Sequence, residues 1–158
     1  MKVITTTEGA TELYFIMEVG LNQATTDVNL AFGKATLTTS AINIDFIKEY
    51  STSIYSLVDG SLVFDEFNEC YISASLRLKS DPTQKDSFWV CKVSRTGSII
   101  WNYRYVAPGR DITMADRSSI DIFGDLNVAT IAAAASNNTR GIIAGGYIQP
   151  SGPVSNFI

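Results

Sequence analysis

An internal repeat constrains this chain more than any other feature of its sequence. The segment "DSFWVCKVSRTGSIIWNYRY" at 86–105 has the same layout as "DVNLAFGKATLTTSAINIDFIKEY" at 27–50. A third, more divergent copy is "RGIIAGGYIQPSGPVSNFI" at 140–158. Lys34 matches Lys92 in the first two copies, whereas Gly146 is placed at the lysine position of the third. The chain is therefore predicted to repeat one supersecondary unit.

The segments that precede these copies align as well. Asn68 falls on Asn127, and matched positions recur about every 55 to 59 residues. We divide the chain into three units, at approximately 1–50, 51–105 and 106–158, which form a single domain. Two sets of matched residues show this spacing: Tyr14, Tyr71 and Thr130 in the first half of each unit, and Phe46, Trp101 and Phe157 in the second.

Each unit contains four short runs with the apolar patterns of half-buried and buried strands. Glycine and polar turn residues separate the runs, and Gly97 and Asn68 are predicted turn formers. The fold class predicted is all-β, with three consecutive four-stranded antiparallel meanders. Irregular connectors are expected at 51–60 and 106–118. The predicted strands are Lys2 to Thr6, Thr11 to Val19, Asn29 to Ala35 and Asn43 to Tyr50; then Ser61 to Asp65, Glu69 to Leu76, Ser87 to Val93 and Ser98 to Tyr105; then Ser119 to Phe123, Val128 to Ala134, Gly141 to Tyr147 and Val154 to Ile158.

Composition agrees with a β-rich domain and argues against nucleic acid as a partner. The chain has 158 residues, of which 46% are hydrophobic, and a net charge of −4. Its 12 basic residues are scattered, whereas a surface that follows phosphates clusters them. Neither a signal peptide nor an apolar run of membrane-spanning length is recognised, so we expect a soluble protein without membrane insertion.

The sequence contains no histidine, which removes several kinds of chemistry together. Ser-His-Asp and Cys-His catalysis and His-ligated zinc all require an imidazole. Cys70 and Cys91 are too sparse for a zinc site and are predicted to be free, buried thiols. We expect no cofactor, no metal site and no catalytic residue.

The pattern D-x-F-W-V-x-K-V-x-x-x-G-x-I-x-W at 86–101 resembles the four-stranded blade repeats of bacterial and phage β-propeller proteins. The positions that fit are Phe88, Val90, Lys92, Val93, Gly97, Ile99 and Trp101. The resemblance is good for the second unit, partial for the first and weak for the third. It implies a propeller-like architecture and, by analogy, a component of a phage virion, a tail fibre or a similar surface assembly. The repeat describes architecture and specifies no activity.

Three blades cannot close a ring, because closed propellers have at least four. An open arc leaves apolar sheet surface exposed at its ends. We therefore expect association with further copies of the chain, two chains supplying six blades about a two-fold axis. The alternatives are packing on another structural protein and membership of a longer repeat protein.

Candidate contact residues are those that the repeat does not explain. Trp89 is one, since its counterparts are Ala31 and Ile143. Arg110, Asp111 and Asp116 lie in the second connector, which is expected to contact a protein or a surface glycan. The matched aromatics Phe46, Trp101 and Phe157 are expected to be core wedges between units, and Lys34 and Lys92 to share a structural role.

The spacing of the carboxylates favours roles in turns and on the surface over metal binding or catalysis. Asp111, Asp116, Asp121 and Asp125 are not spaced as in a calcium loop, whose ligands come at every second residue. Asn137-Asn138-Thr139 is read as a polar loop. The leading hypothesis is a non-catalytic structural or binding module. The alternative is a carbohydrate-active enzyme with channel carboxylates, for which Asp65, Asp121 and Asp125 are the residues to test.

Overall fold

The described part of the chain contains eleven β-strands. The computed structural model describes the backbone of residues 2–5, 11–20, 27–65, 67–81, 83, 87–106, 110–120, 126–134 and 137–148. The strands in chain order are β1 (Lys2–Thr5), β2 (Thr11–Gly20), β3 (Val28–Leu37), β4 (Ile42–Tyr50), β5 (Tyr55–Phe64), β6 (Cys70–Leu78), β7 (Ser87–Val93), β8 (Ile99–Val106), β9 (Arg110–Ile120), β10 (Leu126–Ala134) and β11 (Asn137–Ile148).

These strands form three antiparallel sheets, each from consecutive strands. Sheet 1 has the order β1-β2-β3-β4, sheet 2 the order β5-β6-β7-β8, and sheet 3 the order β11-β10-β9. The prediction of an all-β fold made of antiparallel sheets is confirmed. The strand predicted at 154–158 lies outside the described residues, so sheet 3 is described with three strands.

The two predicted connectors are wrong over most of their length. β5 begins at Tyr55 and β9 at Arg110, where irregular chain was expected. In β5 the register shifts between Val58 and Ser61, and Asp59 has a φ of 56°. This β-bulge interrupts the alternation of side chains, which is why the sequence pattern indicated only the part of the strand after it. Similarly, the tripeptide at 137–139, expected to be a loop, begins β11.

The turn predictions at Gly97 and Asn68 are confirmed. Gly97 has a φ of 79°, and its N–H donates to the Ser94 carbonyl at 2.9 Å. Asn68 has a φ of 59°, and its N–H donates to the Asp65 carbonyl at 3.1 Å. Both occupy the left-handed region that glycine and asparagine tolerate best.

The first two sheets repeat the same cross-strand register. In sheet 1, Tyr14 pairs with Lys34, which pairs with Phe46 on the next strand. In sheet 2, Tyr71 pairs with Lys92, which pairs with Trp101. A β-bulge follows the lysine in each case, at Asp45 and at Ile100. The alignment made from sequence is therefore reproduced residue by residue in these two units.

In the second half of the third unit, the alignment made from sequence differs by two residues from the observed register. Thr130, aligned with the two tyrosines, pairs with Ala144, whereas Gly146 pairs with Val128. The lysine position of the third unit is therefore held by Ala144 and not by Gly146. The divergence of this copy made its alignment ambiguous at the glycine pair 145–146.

Sheet 2 lies between the other two sheets. One face packs against sheet 1, and the side chains of that interface form the main described core. The other face is buried too, and β9 contacts β5, β6 and β7. The core between sheets 1 and 2 contains Tyr14, Leu30, Phe32, Tyr50, Leu57, Phe64, Cys70, Ile72, Ala74, Leu76, Trp89, Cys91 and Val93, with Phe46, Ile16, Tyr55 and Leu62 packed against it.

Within the part of the chain that is described, no helix has the length and apolar character needed to span a membrane.

Candidate functional site

The face of sheet 1 that points away from sheet 2 carries several of the exposed large apolar side chains, and we call it the outer face. Its exposed side chains include Met17 at 39%, Ile44 at 57% and Ile47 at 54%. The alternation of side chains along β2, β3 and β4 places them on one side of the sheet. The outer face consists of Leu13, Phe15, Met17, Val19, Ala31, Gly33, Ala35, Leu37, Ile42, Ile44 and Ile47, with Asn29 and Glu49 at one end.

The matching face of sheet 2 is buried. Phe15, Met17 and Gly33 of the outer face correspond in register to Ile72, Ala74 and Cys91 of sheet 2. All three of those sheet 2 residues are fully buried, because sheet 1 covers them. Met17 is exposed at the position where Ala74 is buried, whereas Phe15 is half-buried and Gly33 is buried like Cys91.

The sequence of β2 contains a pattern that indicates burial on both faces. The run Leu13-Tyr14-Phe15-Ile16-Met17 is apolar at every position, which is typical of a strand buried on both faces. In the structure Tyr14 is fully buried, whereas Met17 on the opposite face is exposed. The pattern therefore indicates two covered faces, of which one is fully covered within the described residues.

The opposite face of sheet 1, which packs on sheet 2, carries a charged cluster. The Lys34 ammonium lies 2.7 Å from Glu12 and 3.4 Å from Asp45. Arg95, in the turn between β7 and β8, pairs with Glu12 and donates to the Tyr14 hydroxyl at 3.0 Å. Burial disfavours the Glu12 carboxylate, but hydrogen bonds from Lys34 and Tyr14 outweigh it, so the pKa of Glu12 is lowered.

Sheet 2 carries the equivalent cluster. Lys92 is buried, pairs with Glu69, and lies 5.2 Å from the centre of the Tyr71 ring. Burial disfavours its charge, but hydrogen bonds to Glu69 and Tyr71 outweigh it, so the pKa of Lys92 is raised. Glu69 precedes Tyr71 by two residues, as Glu12 precedes Tyr14. The two lysines therefore share a packing and ion-pairing geometry, which agrees with the structural role expected of them.

A cleft opens where the end of sheet 1 meets sheet 2. Its volume is about 550 Å³, within the range of small-ligand sites. Tyr50 and Trp89 pack at 5.7 Å between ring centres. The Tyr50 hydroxyl donates to the Gly97 carbonyl at 2.8 Å, and Trp89 Nε1 donates to Asn102 Oδ1 at 3.3 Å. Its lining residues are Lys48, Glu49, Tyr50, Ser51, Thr52, Leu57, Trp89, Gly97, Ser98, Ile99 and Asn102.

The structure places the predicted contact residues in different surroundings. Trp89 is only 8% exposed and contributes to the wall of the cleft. Arg110, Asp111 and Asp116 lie on β9, in a strand and not in a connector. The cleft brings none of these three to Trp89, and a partner contact at each of the four residues stays a prediction. Sequence reasoning missed the cleft, because it combines the distant positions Tyr50 and Trp89 from two units.

The matched aromatics Phe46 and Trp101 are partly buried. Phe46 packs edge-on to Phe32 at 5.7 Å and lies close to Gly97 of the second unit, as expected of a wedge between units. Trp101 lies 6.1 Å from Tyr71, on the other face of sheet 2. The third aromatic, Phe157, lies outside the described residues.

The described carboxylates and thiols have structural surroundings. Asp65 Oδ1 accepts the N–H of Phe67 at 3.0 Å and of Glu69 at 2.8 Å, which holds the turn before β6. Asp121 and Asp125 lie outside the described residues, so the enzyme alternative stays a prediction. No group of three or more Cys, Asp or Glu side chains suited to a metal ion occurs in the described ranges. Cys70 and Cys91 are buried free thiols, and burial raises the pKa of both.

The sequence matches no protein-family model, and no curated protein is similar enough to indicate a family.

Proposed function

We propose that this chain is a non-catalytic structural module whose β-propeller-like units join further units through the faces of their sheets. The observation that carries this proposal is the outer face of sheet 1. It holds the register positions of a surface that is interior in sheet 2, and its flanking strands β2 and β4 expose Met17, Ile42, Ile44 and Ile47. A contiguous apolar surface of this kind marks an interaction site in soluble proteins.

The free energy available from covering the outer face is substantial. Full burial of an isoleucine or methionine side chain contributes about 1.5–3 kcal/mol. Ile42, Ile44 and Ile47 each retain more than half of their exposure, and Met17 retains 39%. These four side chains would together contribute roughly 5 kcal/mol per interface, before the cost of association. The half-buried Leu13, Phe15, Val19 and Leu37 on the same face would add to this.

The biological setting that we propose is a surface assembly, such as a phage virion or a tail fibre. It is supported by the resemblance of 86–101 to propeller blades and by the register that the first two units share. The four-stranded meanders of sheets 1 and 2 have the strand order that a blade requires. A propeller-like ring would be completed by units from outside the chain.

The experiment is to measure molar mass in solution by light scattering. The wild type is expected to exceed the 17.2 kDa of one chain. A double variant, Ile44→Lys with Ile47→Lys, is expected to be reduced to one chain, because two charges would have to be buried in the interface. Ile100→Lys is the matched control, since Ile100 is 54% exposed like Ile47 but lies on sheet 2. A wild type that stays a single chain would refute the proposal.

A second candidate function is contact with a glycan at the cleft. It is favoured by an aromatic wall beside an amide and a carboxylate, Asn102 and Glu49, which can bind sugar hydroxyls. Trp101→Phe leaves Trp89 as the fluorescent indole, and neutral monosaccharides and disaccharides can then be titrated. Quenching that Asn102→Ala weakens would support the proposal. Unchanged Trp89 emission across the panel would reject it.

A further inference from the structure

The interface between sheets 1 and 2 has a direction. Sheet 1 contributes the face that carries the Tyr14–Lys34 pair, which we call the Tyr–Lys face. Sheet 2 contributes the face that corresponds to the outer face of sheet 1, including Ala74 and Cys91. The contact therefore joins two different surfaces, with the Tyr–Lys face of one unit on the outer-type face of the next.

The second interface continues in the same direction. The Tyr–Lys face of sheet 2 carries Tyr71 and Lys92, which are buried together with Ser73 and Val90. Sheet 3 approaches that sheet through contacts of β9 with β5, β6 and β7. Each unit thus presents its Tyr–Lys face to the unit that follows it along the chain.

This directional order leaves one unmatched surface at each end of the described structure. At the beginning it is the outer face of sheet 1, for which no preceding unit is described. Extending the same order to sheet 3 puts the register position of the Tyr–Lys pair, occupied by Thr130 and Ala144, on the face that points away from sheet 2. The two ends are therefore of the two kinds that pack together inside the chain.

We propose that the outer face of sheet 1 binds the Tyr–Lys-register face of sheet 3 in a second copy of this chain. The inference rests on the proposed assembly function and specifies its geometry as head-to-tail. Such a heterologous contact closes into a ring if the rotation between copies allows it and otherwise extends as a filament. Two copies would supply six units, within the range of closed propellers.

The alternative geometry is back-to-back, in which two outer faces pair with each other. The two geometries differ in what a blocked chain can still bind. The double variant Ile44→Lys with Ile47→Lys loses its outer face but keeps sheet 3. In a head-to-tail assembly, sheet 3 of the double variant still binds the outer face of a wild-type chain. In a back-to-back assembly, the double variant has no surface that binds a wild-type chain.

The test is capture of soluble chains by immobilised wild-type protein, with the amount bound measured against concentration. Wild type and the Ile100→Lys control are expected to be captured equally. The double variant should also be captured, through the one contact that remains. The double variant should, however, bind immobilised double variant at least about 100-fold more weakly than wild type binds immobilised wild type. Each loss of about 1.4 kcal/mol in binding free energy lowers the affinity tenfold. Thermal unfolding of each variant alone establishes that it is folded.

Each other outcome overturns the inference in an identifiable way. If wild type captures wild type but not the double variant, the outer faces pair back-to-back and only the head-to-tail geometry fails. If the double variant captures itself as well as wild type does, the outer face is not the interface. If wild type does not capture wild type, the proposed assembly function fails together with the inference.

Discussion

Alkaline pH should destabilise this fold. Cys70, Cys91, Tyr50 and Tyr105 are all at most 6% exposed. Burial raises the pKa of each, that of Tyr105 to about 12. In the unfolded chain the thiols titrate near 9.0 and the phenols near 10.0. The unfolded state therefore loses protons first as the pH rises, and the free energy of unfolding falls above about pH 9.

The size of the decrease in the free energy of unfolding follows from these pKa values. Between pH 7 and pH 10, each thiol that stays neutral in the fold lowers the stability by about 1.4 kcal/mol, and each phenol by about 0.4 kcal/mol. The four groups together give roughly 3.5 kcal/mol, a large share of a typical stability of about 5–15 kcal/mol. Because the chain has no histidine, stability should be nearly constant between about pH 6 and pH 8.

The assay is urea unfolding followed by tryptophan fluorescence at pH 7, 8 and 10, with a reductant present. One low protein concentration is used throughout, because association also stabilises a fold. A variant with Cys70→Ala and Cys91→Ala is less stable at pH 7 but should lose only about 0.8 kcal/mol by pH 10. Equal stability of the wild type at pH 7 and pH 10 would refute the reasoning, as would an equal decline in the variant.

Two further predictions concern packing within and between the sheets. Gly33→Ala should lower the free energy of unfolding by about 1–3 kcal/mol, because a Cβ there would lie 2.3 Å from Phe15 Cζ. Gly20→Ala, with nothing within 4 Å of its new Cβ, should change the same quantity by less than about 0.5 kcal/mol, and equal effects at the two sites would contradict the described packing. Tyr50→Phe should cost about 1 kcal/mol through the lost hydrogen bond between sheets, in contrast to the exposed Tyr103→Phe, which should be neutral in urea unfolding.

The sequence predicted those parts of the fold that depend on local pattern and on the repeat. Alternation placed β7 at its observed bounds, and turn chemistry identified Gly97 and Asn68 as turn residues, both of which have a positive φ. Matching Lys34 with Lys92 anticipated a register that the two sheets share. These features are short-range or repeated, so one chain carries enough information to recognise them.

The remainder depends on how distant segments meet. The bulge after Val58 hid the first half of β5, because it breaks the alternation that marks a strand. The cleft requires Tyr50 and Trp89 to approach across two units, which no local pattern encodes. The all-apolar run at 13–17 indicates a strand buried on both faces, but it does not say which surface covers the second face.

The central claim, that the outer face is an interface, is tested most directly by hydroxyl-radical footprinting of the unmodified protein over a range of concentrations. Ile44, Ile47 and Ile100 have similar exposure in the single chain and should be labelled alike at high dilution. As the concentration rises, Met17, Ile44 and Ile47 should become protected together while Ile100 remains labelled. If labelling of the outer face is unchanged at every concentration, the outer face is not an interface.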